Sequence, residues 1–315
     1  MSALRVYFAP MEGLTDHVFR QLHHGYFPGV DRYYMPFFSP TLDHVLTNRE
    51  KRELEYCPEI NAVPQILTKN PEDFVWAANT YAEMGYSEVN LNLGCPSGTV
   101  FSKGKGAGML RDPDALDRFL DEIFRNTRPR ITVKTRLGVE APEEFAKLLA
   151  IFNRYPIGEL TIHPRFRRDF YQGRARMELF DYAVENSKNP LCWNGNLCSR
   201  EEIRGLADRY PGVDAVMVGR GLIGDPAMLC PALRSRERLC DFLDALLESY
   251  RGLFGSDRNA MFRMKENWRY LLCLFEGTEK LGKALRKATR VEDYRQITHE
   301  ILYHLPLRDR LQPDW

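Results

Sequence analysis

Several features that mark other classes of protein are missing from this chain of 315 residues. Its 44 lysines and arginines face 43 aspartates and glutamates, and a net charge of +1 creates no overall field that attracts nucleic acid or an anionic membrane. Any binding of RNA must therefore depend on local patches. The seven cysteines include no CxxC pair and no His/Cys spacing suited to zinc, which predicts a reduced protein without a structural metal.

Long apolar runs are missing as well. No segment is long enough to span a bilayer, and the N-terminal MSALRVYFAPMEG enters strand-like sequence without an apolar targeting core. We therefore expect a soluble, untargeted, cytoplasmic protein with no membrane partner. The chain also has neither a Walker loop nor a GxGxxG after its first strand, which argues against a P-loop NTPase and an NAD-binding Rossmann domain.

Eight short segments rich in β-forming residues recur along the first 230 residues. They begin near residues 4, 31, 61, 87, 130, 158, 190 and 213. Amphipathic segments of helical length separate most of them, for example NPEDFVWAANTYAEMG and DPDALDRFLDEIFRN. This alternation predicts parallel strands joined by right-handed crossovers, and eight units favour a TIM barrel, an α/β fold, over an open sheet.

The pattern changes near residue 231. Four amphipathic segments follow without a strand signal between them, and one of them, KLGKALRKATR at 280–290, is a basic helix. We expect a barrel domain over residues 1–230 and a small all-α domain over residues 231–315.

The residues that end the predicted strands are the candidate site, because a TIM barrel carries its active site at the carboxyl ends of its strands. Any one of them alone is more often an ordinary surface residue, and only their joint occurrence predicts a site. They are Pro10 and Met11, Gln65, Asn92 with Cys95 just beyond, Lys134 with Arg136, His163, Asn194 with Gly195, and Gly219 to Gly221.

Glycine-containing turns follow the seventh and eighth strand segments, in WNGN at 193–196 and VGRGLIGDP at 218–226. Turns at this place in a TIM barrel commonly bind phosphate, and GDPAM is expected to begin a short helix with Asp225 as N-cap and Pro226 at the first position. A phosphate-bearing cofactor beside Lys134 and His163, which can bond ring carbonyls and a ring nitrogen, suggests FMN. The alternative is that these glycines only form strand-to-helix turns.

Cys95 lies in VNLNLGCPSGT, at the bend between a strand and a loop. On a loop over a flavin, a thiol can protonate the carbon next to the one that receives a hydride, since an unperturbed pKa near 8.5 keeps it mostly protonated at neutral pH. The alternative is that Cys95 is a small buried residue, as most cysteines are.

The motifs APMEGLTD, NLNLGCPSGTV, ITVKTRLG, IHPR with YQG, WNGN and DAVMVGRG occur in the order and spacing of the tRNA-dihydrouridine synthase family, which the chain resembles over nearly its whole length. The resemblance implies an FMN-containing TIM barrel and a helical RNA-binding domain that reduce uridine in tRNA to 5,6-dihydrouridine with NADPH. It implies that Cys95 is the proton donor. It also implies flavin contacts from Pro10, Met11, Gln65, Lys134, His163, Asn194, Gly195, Asn196, Gly219 and Arg220.

Some positions depart from the family pattern. Asn90 stands where an acid is usual, Met35-Pro36-Phe37 replaces Thr-Glu-Met, and Pro164, Phe166 and Asn196 replace the usual residues of two further motifs. The flavin-site residues are retained, and the changed positions neighbour the substrate side. The RNA target therefore stays open.

The segment RFRRDFYQGRAR at 165–176 interleaves five arginines with three aromatic residues and follows the strand of His163, so it is expected to rim the site. The candidate substrate contacts are Asn92, Arg136, Arg165 and Arg168. Three alternatives stay open: a reductase of ribosomal RNA, a reductase of a small pyrimidine-like molecule similar to dihydroorotate or dihydropyrimidine dehydrogenases, and an RNA-binding module without turnover.

Overall fold

The computed structural model describes residues 4–315, and within them it contains one parallel sheet of nine β-strands. The strands are β1 (Arg5–Phe8), β2 (Arg32–Tyr34), β3 (Ala62–Val63), β4 (Gln65–Ile66), β5 (Glu88–Leu93), β6 (Arg130–Arg136), β7 (Leu160–His163), β8 (Leu191–Asn194) and β9 (Ala215–Val218).

The sheet closes on itself into a TIM barrel. Along the sheet the strand order is β3-β2-β1-β9-β8-β7-β6-β5-β4, and the two terminal strands, β3 and β4, are separated in sequence only by Pro64. Proline has no N–H to donate and so interrupts the ladder, although the Pro64 carbonyl still accepts from the N–H of Asn90 at 2.9 Å. Residues 62–66 therefore act as one strand, and the eight strand segments expected from the sequence are confirmed.

Thirteen α-helices surround or follow these strands in the described residues. They are α1 (His17–Tyr26), α2 (Asn48–Glu53), α3 (Pro71–Glu83), α4 (Gly98–Ser102), α5 (Pro113–Asn126), α6 (Pro142–Phe152), α7 (Met177–Asn186), α8 (Arg200–Arg209), α9 (Arg220–Gly224), α10 (Arg236–Phe254), α11 (Asp257–Leu271), α12 (Glu279–Lys287) and α13 (Val291–His304).

Helix starts are encoded locally. The side chains of Asn70 and Asp112 accept hydrogen bonds from backbone N–H groups in the first turns of α3 and α5, and each precedes a proline at the first helical position. These signals are visible in the sequence as NP and DP, so both helices begin where the sequence predicts.

The inner residues of the barrel strands alternate along the chain. Tyr7, Tyr34, Val63, Cys192 and Met217 belong to one buried cluster contributed by β1, β2, β3, β8 and β9. On β5 and β6 the same alternation carries polar residues instead, in Asn-Leu-Asn at 90–92 and Thr-Val-Lys at 132–134. One sector of the barrel is therefore polar toward the carboxyl ends of its strands.

By its internal contacts the chain divides into two compact units. The catalytic unit comprises the chain up to Pro10, Arg32–Gly195 and Ala207–Met217; the helical unit comprises Met11–Asp31, Asn196–Leu206 and Val218–Trp315. The helical unit therefore includes segments from before residue 230, and the boundary between residues 230 and 231 stays a prediction. No helix of residues 4–315 is long and apolar enough to cross a membrane.

Candidate active site

The catalytic unit brings the predicted strand-end residues of five strands to one edge of the sheet. Asn92 pairs in register with Lys134, and Arg136 pairs with His163, so the carboxyl ends of β5, β6 and β7 are level with one another. Gln65 begins β4 and Asn194 ends β8. The expected convergence of these side chains is thus present within this unit.

A chain of hydrogen bonds, which we call the amide relay, connects the barrel interior to the Cys95 loop. Asn90 donates to Thr132 Oγ1 at 3.0 Å, and its Oδ1 accepts from Gln65 Nε2 at 2.7 Å. Gln65 Oε1 accepts from Asn92 Nδ2 at 2.7 Å, and Asn92 Oδ1 accepts from the N–H of Cys95 at 2.9 Å. Because each amide both donates and accepts, the orientation of every member is determined by its neighbours.

Asn90 and Thr132 are the members of this relay that sequence reasoning did not select as site residues. Both are fully buried, with no exposed surface. The signal that could have found them is the period of two along β5 and β6, which places them on the same face as Asn92 and Lys134. In the sequence Asn90 stands out only as a departure from the family pattern, and its amide here supplies a donor that a carboxylate lacks.

The Cys95 loop also rests on the glycine-rich segment that follows it. The N–H of Ala107 donates to the Cys95 carbonyl at 3.2 Å. Gly106 has φ +57, and a Cβ there would lie 3.0 Å from Cys95 Cβ and 3.1 Å from its carbonyl oxygen. Glycine is therefore required at position 106 by conformation and by space. Cys95 itself is partly exposed.

Lys134 is half-buried at the same edge. Burial, and after it the positive charge of Arg136, lowers the pKa of the Lys134 ammonium to about 7. An acceptor placed against the side chain would stabilise the charged form.

Arg136 is buried and bonds two loops. Its Nε donates to the Gly94 carbonyl at 2.8 Å, and another guanidinium nitrogen donates to the Phe166 carbonyl at 3.0 Å. The guanidinium also lies 5.4 Å from the centroid of the Tyr171 ring, and burial lowers its pKa to about 10. Arg136 thus joins the Cys95 loop to the loop that follows β7.

Arg165 determines the tautomer of His163. An Arg165 guanidinium nitrogen lies 2.9 Å from His163 Nε2, and arginine can only donate, so Nε2 is the acceptor and Nδ1 carries the proton. Arg165 is almost fully buried and also donates to the carbonyls of Gln172 and Gly173 at 3.1 and 2.6 Å. The Tyr171 ring centroid lies 6.2 Å from that of His163.

The four predicted substrate contacts have different surroundings. Asn92, Arg136 and Arg165 are buried and bond loop backbone, whereas the Arg168 side chain is 58% exposed and lies 4.0 Å from Asp169. Arg168 is the member of this set whose charge faces solvent. Direct contact of any of the four with a substrate stays a prediction.

Gly195 follows β8 in a position where no side chain fits. A Cβ at Gly195 would lie 2.7 Å from the Trp193 indole nitrogen, and that indole packs edge-on against Phe180 at 4.8 Å between ring centroids. The Asn194 amide donates to the Met217 carbonyl at 2.8 Å. The WNGN turn is therefore shaped by packing as well as by conformation.

In the helical unit, the predicted phosphate residues include one bonded pair. Arg220 donates to Asn196 Oδ1 at 2.6 Å and begins α9 directly after Gly219. A Cβ at Gly221 would lie 2.1 Å from the Leu197 carbonyl oxygen, so only glycine allows this approach. In the same unit the N–H of Met11 donates to Thr15 Oγ1 at 2.9 Å.

The prediction that Asp225 caps a following helix is wrong. Helix α9 ends at Gly224, and residues 226–229 form a turn instead of a helix. The buried Asp225 carboxylate accepts from the Arg234 guanidinium. Proline at 226 suits a turn as well as a first helical position, and the pairing with Arg234, nine residues later, is a contact that local sequence does not reveal.

Within residues 4–315, no group of three or more histidine, cysteine or acidic side chains is placed to hold a metal ion. All seven cysteines are free thiols. The polar residues at the strand ends are amides, arginines, a lysine, a histidine and a thiol, which are donors for an organic ligand.

The fold and these strand ends define a barrel enzyme with an organic ligand site and a thiol on an adjoining loop. Residues 7–249 match the family model described as dihydrouridine synthase, and the chain belongs to that family of oxidoreductases. It is 32% identical over 225 residues to tRNA-dihydrouridine synthase B of Pasteurella multocida, covering 70% of this chain and 67% of the relative. It is 28% identical over 308 residues to a probable tRNA-dihydrouridine synthase of Staphylococcus aureus, covering 93% and 91%.

The solved structure of morphinone reductase has a similar fold. The two share 12% sequence identity with a TM-score of 0.51, over 71% of this chain and 84% of that one. At this identity the likeness concerns the fold alone, and it agrees with the barrel described above.

Proposed function

We propose that this protein reduces uridine to 5,6-dihydrouridine in tRNA, with FMN as its cofactor and NADPH as the reductant, and that it does so in the cytoplasm. The observation that carries the proposal is the amide relay, which holds the Cys95 loop beside Lys134 and His163 at the strand ends. Membership of the dihydrouridine synthase family supports the same reaction.

The donor set of the catalytic unit fits a flavin. Its ring system presents carbonyl oxygens, ring nitrogens and one N–H along an edge, which match the ammonium of Lys134, the imidazole of His163 and the amides of Gln65 and Asn194. Gln65 has both amide ends bonded in the relay, and each end keeps capacity for one more bond. FMN, when bound, supplies the hydride that is added to carbon 6 of uracil.

The remaining flavin contacts are assigned by unit. In the catalytic unit we include Pro10 and Gly195. In the helical unit we include Met11, Asn196, Gly219 and Arg220, of which Asn196 and Arg220 are bonded to each other. Glycines at 195 and 219 expose backbone N–H groups, which suit a phosphate.

Cys95 completes the addition as the acid. Hydride addition to carbon 6 leaves enolate charge on the uracil ring, and carbon 5 takes a proton to give the saturated product. The thiol donates that proton and becomes a thiolate, which solvent reprotonates. The bond from the Cys95 N–H to Asn92 Oδ1 determines where the thiol lies, so Asn92 is a positioning residue in this scheme.

The substrate is held by positive charge at the strand ends. We assign Arg168, whose side chain is exposed, to the RNA backbone, and Arg136 and Arg165 to the support of the loops that surround the base. A uridine in folded RNA is stacked, so it must leave its stack to reach this edge of the barrel.

The test is to purify the protein, measure its flavin content, and map dihydrouridine in all RNAs of a strain that lacks the gene, with and without its return. We expect one FMN per chain and dihydrouridine lost from tRNA on deletion. If dihydrouridine is lost from ribosomal RNA only, the substrate is ribosomal RNA and not tRNA. A colourless protein that cannot be reconstituted with FMN would overturn the assignment of the cofactor. Comparing NADPH with NADH in reduction of the bound flavin tests the reductant.

A further inference from the structure

We propose that four residues of the catalytic unit, Arg111, Phe101, Arg167 and Phe170, form a stacking surface for unpaired nucleotides that flank the target uridine. We call this surface the rim stack. The inference rests on the proposed function, because it assumes that the substrate is RNA.

The rim stack alternates guanidinium and aromatic groups. The guanidinium carbons of Arg111 and Arg167 lie 4.4 and 4.1 Å from the centroid of the Phe101 ring. The Arg167 guanidinium carbon also lies 5.0 Å from the centroid of the Phe170 ring. Two rings and two cations thus form one continuous surface, in which each cation is attracted to the face of a ring.

Backbone hydrogen bonds hold the stack in place. Arg111 donates to the carbonyls of Gly108 and Phe101, each at 3.2 Å, and the Arg167 N–H donates to the Gly138 carbonyl at 3.0 Å. A Cβ at Gly108 would lie 2.8 Å from the Phe101 carbonyl oxygen, so glycine at 108 permits the arrangement. The surface is therefore ordered before any ligand binds.

The stack carries a net positive charge, because it contains two arginines and no acidic residue. In the part of the chain that the structure describes, neither Arg111 nor Arg167 forms an ion pair with a carboxylate. The acid nearest to Arg167 in sequence, Asp169, is paired with Arg176 and caps the Phe166 N–H at 2.8 Å. The acid next to Arg111, Asp112, accepts from the Ala115 N–H at 3.0 Å as the N-cap of α5. With a net charge of only +1 over the chain, this is the kind of local patch on which RNA binding must depend.

Phe170 occupies a backbone position that favours glycine. Its φ is 50 and its ψ is −104, and the Gln172 N–H donates to the Asp169 carbonyl at 2.8 Å, which together describe a type II′ turn with Phe170 at the first central position. The side chain is nevertheless 44% exposed. The backbone of Phe170 is strained and its ring faces solvent, so the residue contributes little to the stability of the fold. We therefore infer that the ring serves a ligand.

The stack adjoins the catalytic thiol. Phe101 belongs to α4, which begins three residues after Cys95, and Gly106 of the same segment packs against Cys95 itself. A base that stacks on this surface would thus belong to a nucleotide close to the target.

Single-stranded RNA is the occupant that matches both kinds of group. The exposed Phe170 ring stacks on a base face, which a paired stem hides, and the arginines bind the phosphates next to that base. A duplex would use the arginines alone and leave the exposed Phe170 ring without a base to stack on.

The test measures stability and RNA binding on the same variants. Phe170→Gly removes the ring and the backbone strain together, so we expect a higher melting temperature and about tenfold weaker binding of a single-stranded heptamer with a central uridine. Phe170→Leu keeps an apolar side chain without the aromatic face and should also weaken binding. Arg125→Gln, on the exposed surface of α5, is the control and should change neither quantity.

A fluorescent 2-aminopurine placed beside the central uridine reports stacking directly. We expect quenching on binding to the wild-type protein and recovery of fluorescence with Phe170→Gly, while a blunt RNA duplex binds both proteins equally. Unchanged heptamer affinity in Phe170→Gly, or no quenching at either neighbour of the uridine, would overturn the rim stack. A wild-type protein that binds the heptamer but forms no dihydrouridine in any RNA would instead overturn the proposed function.

Discussion

At the level of single residues, the chemistry proposed for the Cys95 thiol can be distinguished from the bonds that hold its loop. The loop is bonded through its backbone, to Asn92 and to Ala107, so removal of the thiol leaves these bonds intact. The role of the sulfur can therefore be separated from that of the loop.

We expect Cys95→Ala to retain FMN and to accept hydride from NADPH, while uridine reduction falls by about two to four orders of magnitude, the usual contribution of a positioned acid. Cys95→Ser should restore little of the rate of uridine reduction, because a hydroxyl is a much weaker acid than a thiol. The measurement is single-turnover oxidation of the pre-reduced protein by tRNA. Reoxidation of Cys95→Ala at the wild-type rate, with normal product, would show that the cysteine is only a loop residue.

Lys134 makes the stability of the cofactor-free protein depend on pH. Its pKa is about 7 in the folded protein against 10.5 ordinarily, so between these values the unfolded chain binds more protons than the folded one. Its contribution to stability is thus lowest below pH 7 and rises with pH, by at most about 1.4 kcal/mol per pH unit. Urea unfolding of wild type and Lys134→Met from pH 6.5 to 10 measures this. The free energy of unfolding of the wild type should rise relative to that of the variant as pH rises. If the two free energies change in parallel with pH, the lowered pKa of Lys134 is contradicted.

At the level of elements, α12 is the basic helix expected from the sequence. Its four cationic side chains are all exposed, and none forms an ion pair with a carboxylate in the described part of the chain; they are Lys280, Lys283, Arg286 and Lys287. Lys265 of α11 donates to the Arg286 carbonyl, at 3.3 Å, and to the Ala288 carbonyl, so the C-terminal end of α12 is capped by another helix. The helix therefore has a defined position from which to contact RNA.

Replacing the four α12 cations by glutamine should weaken tRNA binding and flatten its salt dependence, since each lost phosphate contact lowers the slope of log K against log salt by about 0.7 to 0.9. Flavin content should stay unchanged. The control replaces four exposed basic residues on α5, α6 and α8: Arg118, Arg125, Lys147 and Arg204. Equal slopes for the two quadruple variants would mean that α12 is only a solvated face.

At the level of the whole molecule, the helical unit is discontinuous in sequence. Phe242 of α10 packs against Phe19, Tyr26 and Phe27, with ring centroids 5.9, 5.7 and 5.3 Å apart. These partners lie more than 200 residues earlier, in and just after α1. The C-terminal helices thus complete a core that the N-terminal segment begins.

We expect Phe242→Ala to lower the free energy of unfolding by about 3 to 5 kcal/mol, the usual cost of truncating a buried phenylalanine. Phe262→Ala on α11, where the ring is 56% exposed, should cost less than about 1 kcal/mol. Urea unfolding of both variants compares them. A small loss at Phe242 would mean that the aromatic cluster can repack without it.

The sequence by itself determined the barrel and indicated the strand-end residues that are proposed for its site. Eight strand segments, their helices and the strand-end residues Gln65, Lys134 and His163 are readable because strand period, helix caps and glycine turns are local properties of the chain. The set of motifs from APMEGLTD to DAVMVGRG, of which the motif around Cys95 is one, also identifies the family from sequence alone.

Only the tertiary structure decided how these residues are bonded. The amide relay joins residues of three strands, Arg165 selects the His163 tautomer, and Asp225 binds Arg234 instead of starting a helix. The physical reason is that a hydrogen bond depends on distance and direction between groups far apart in sequence, whereas composition and spacing describe only which groups are available.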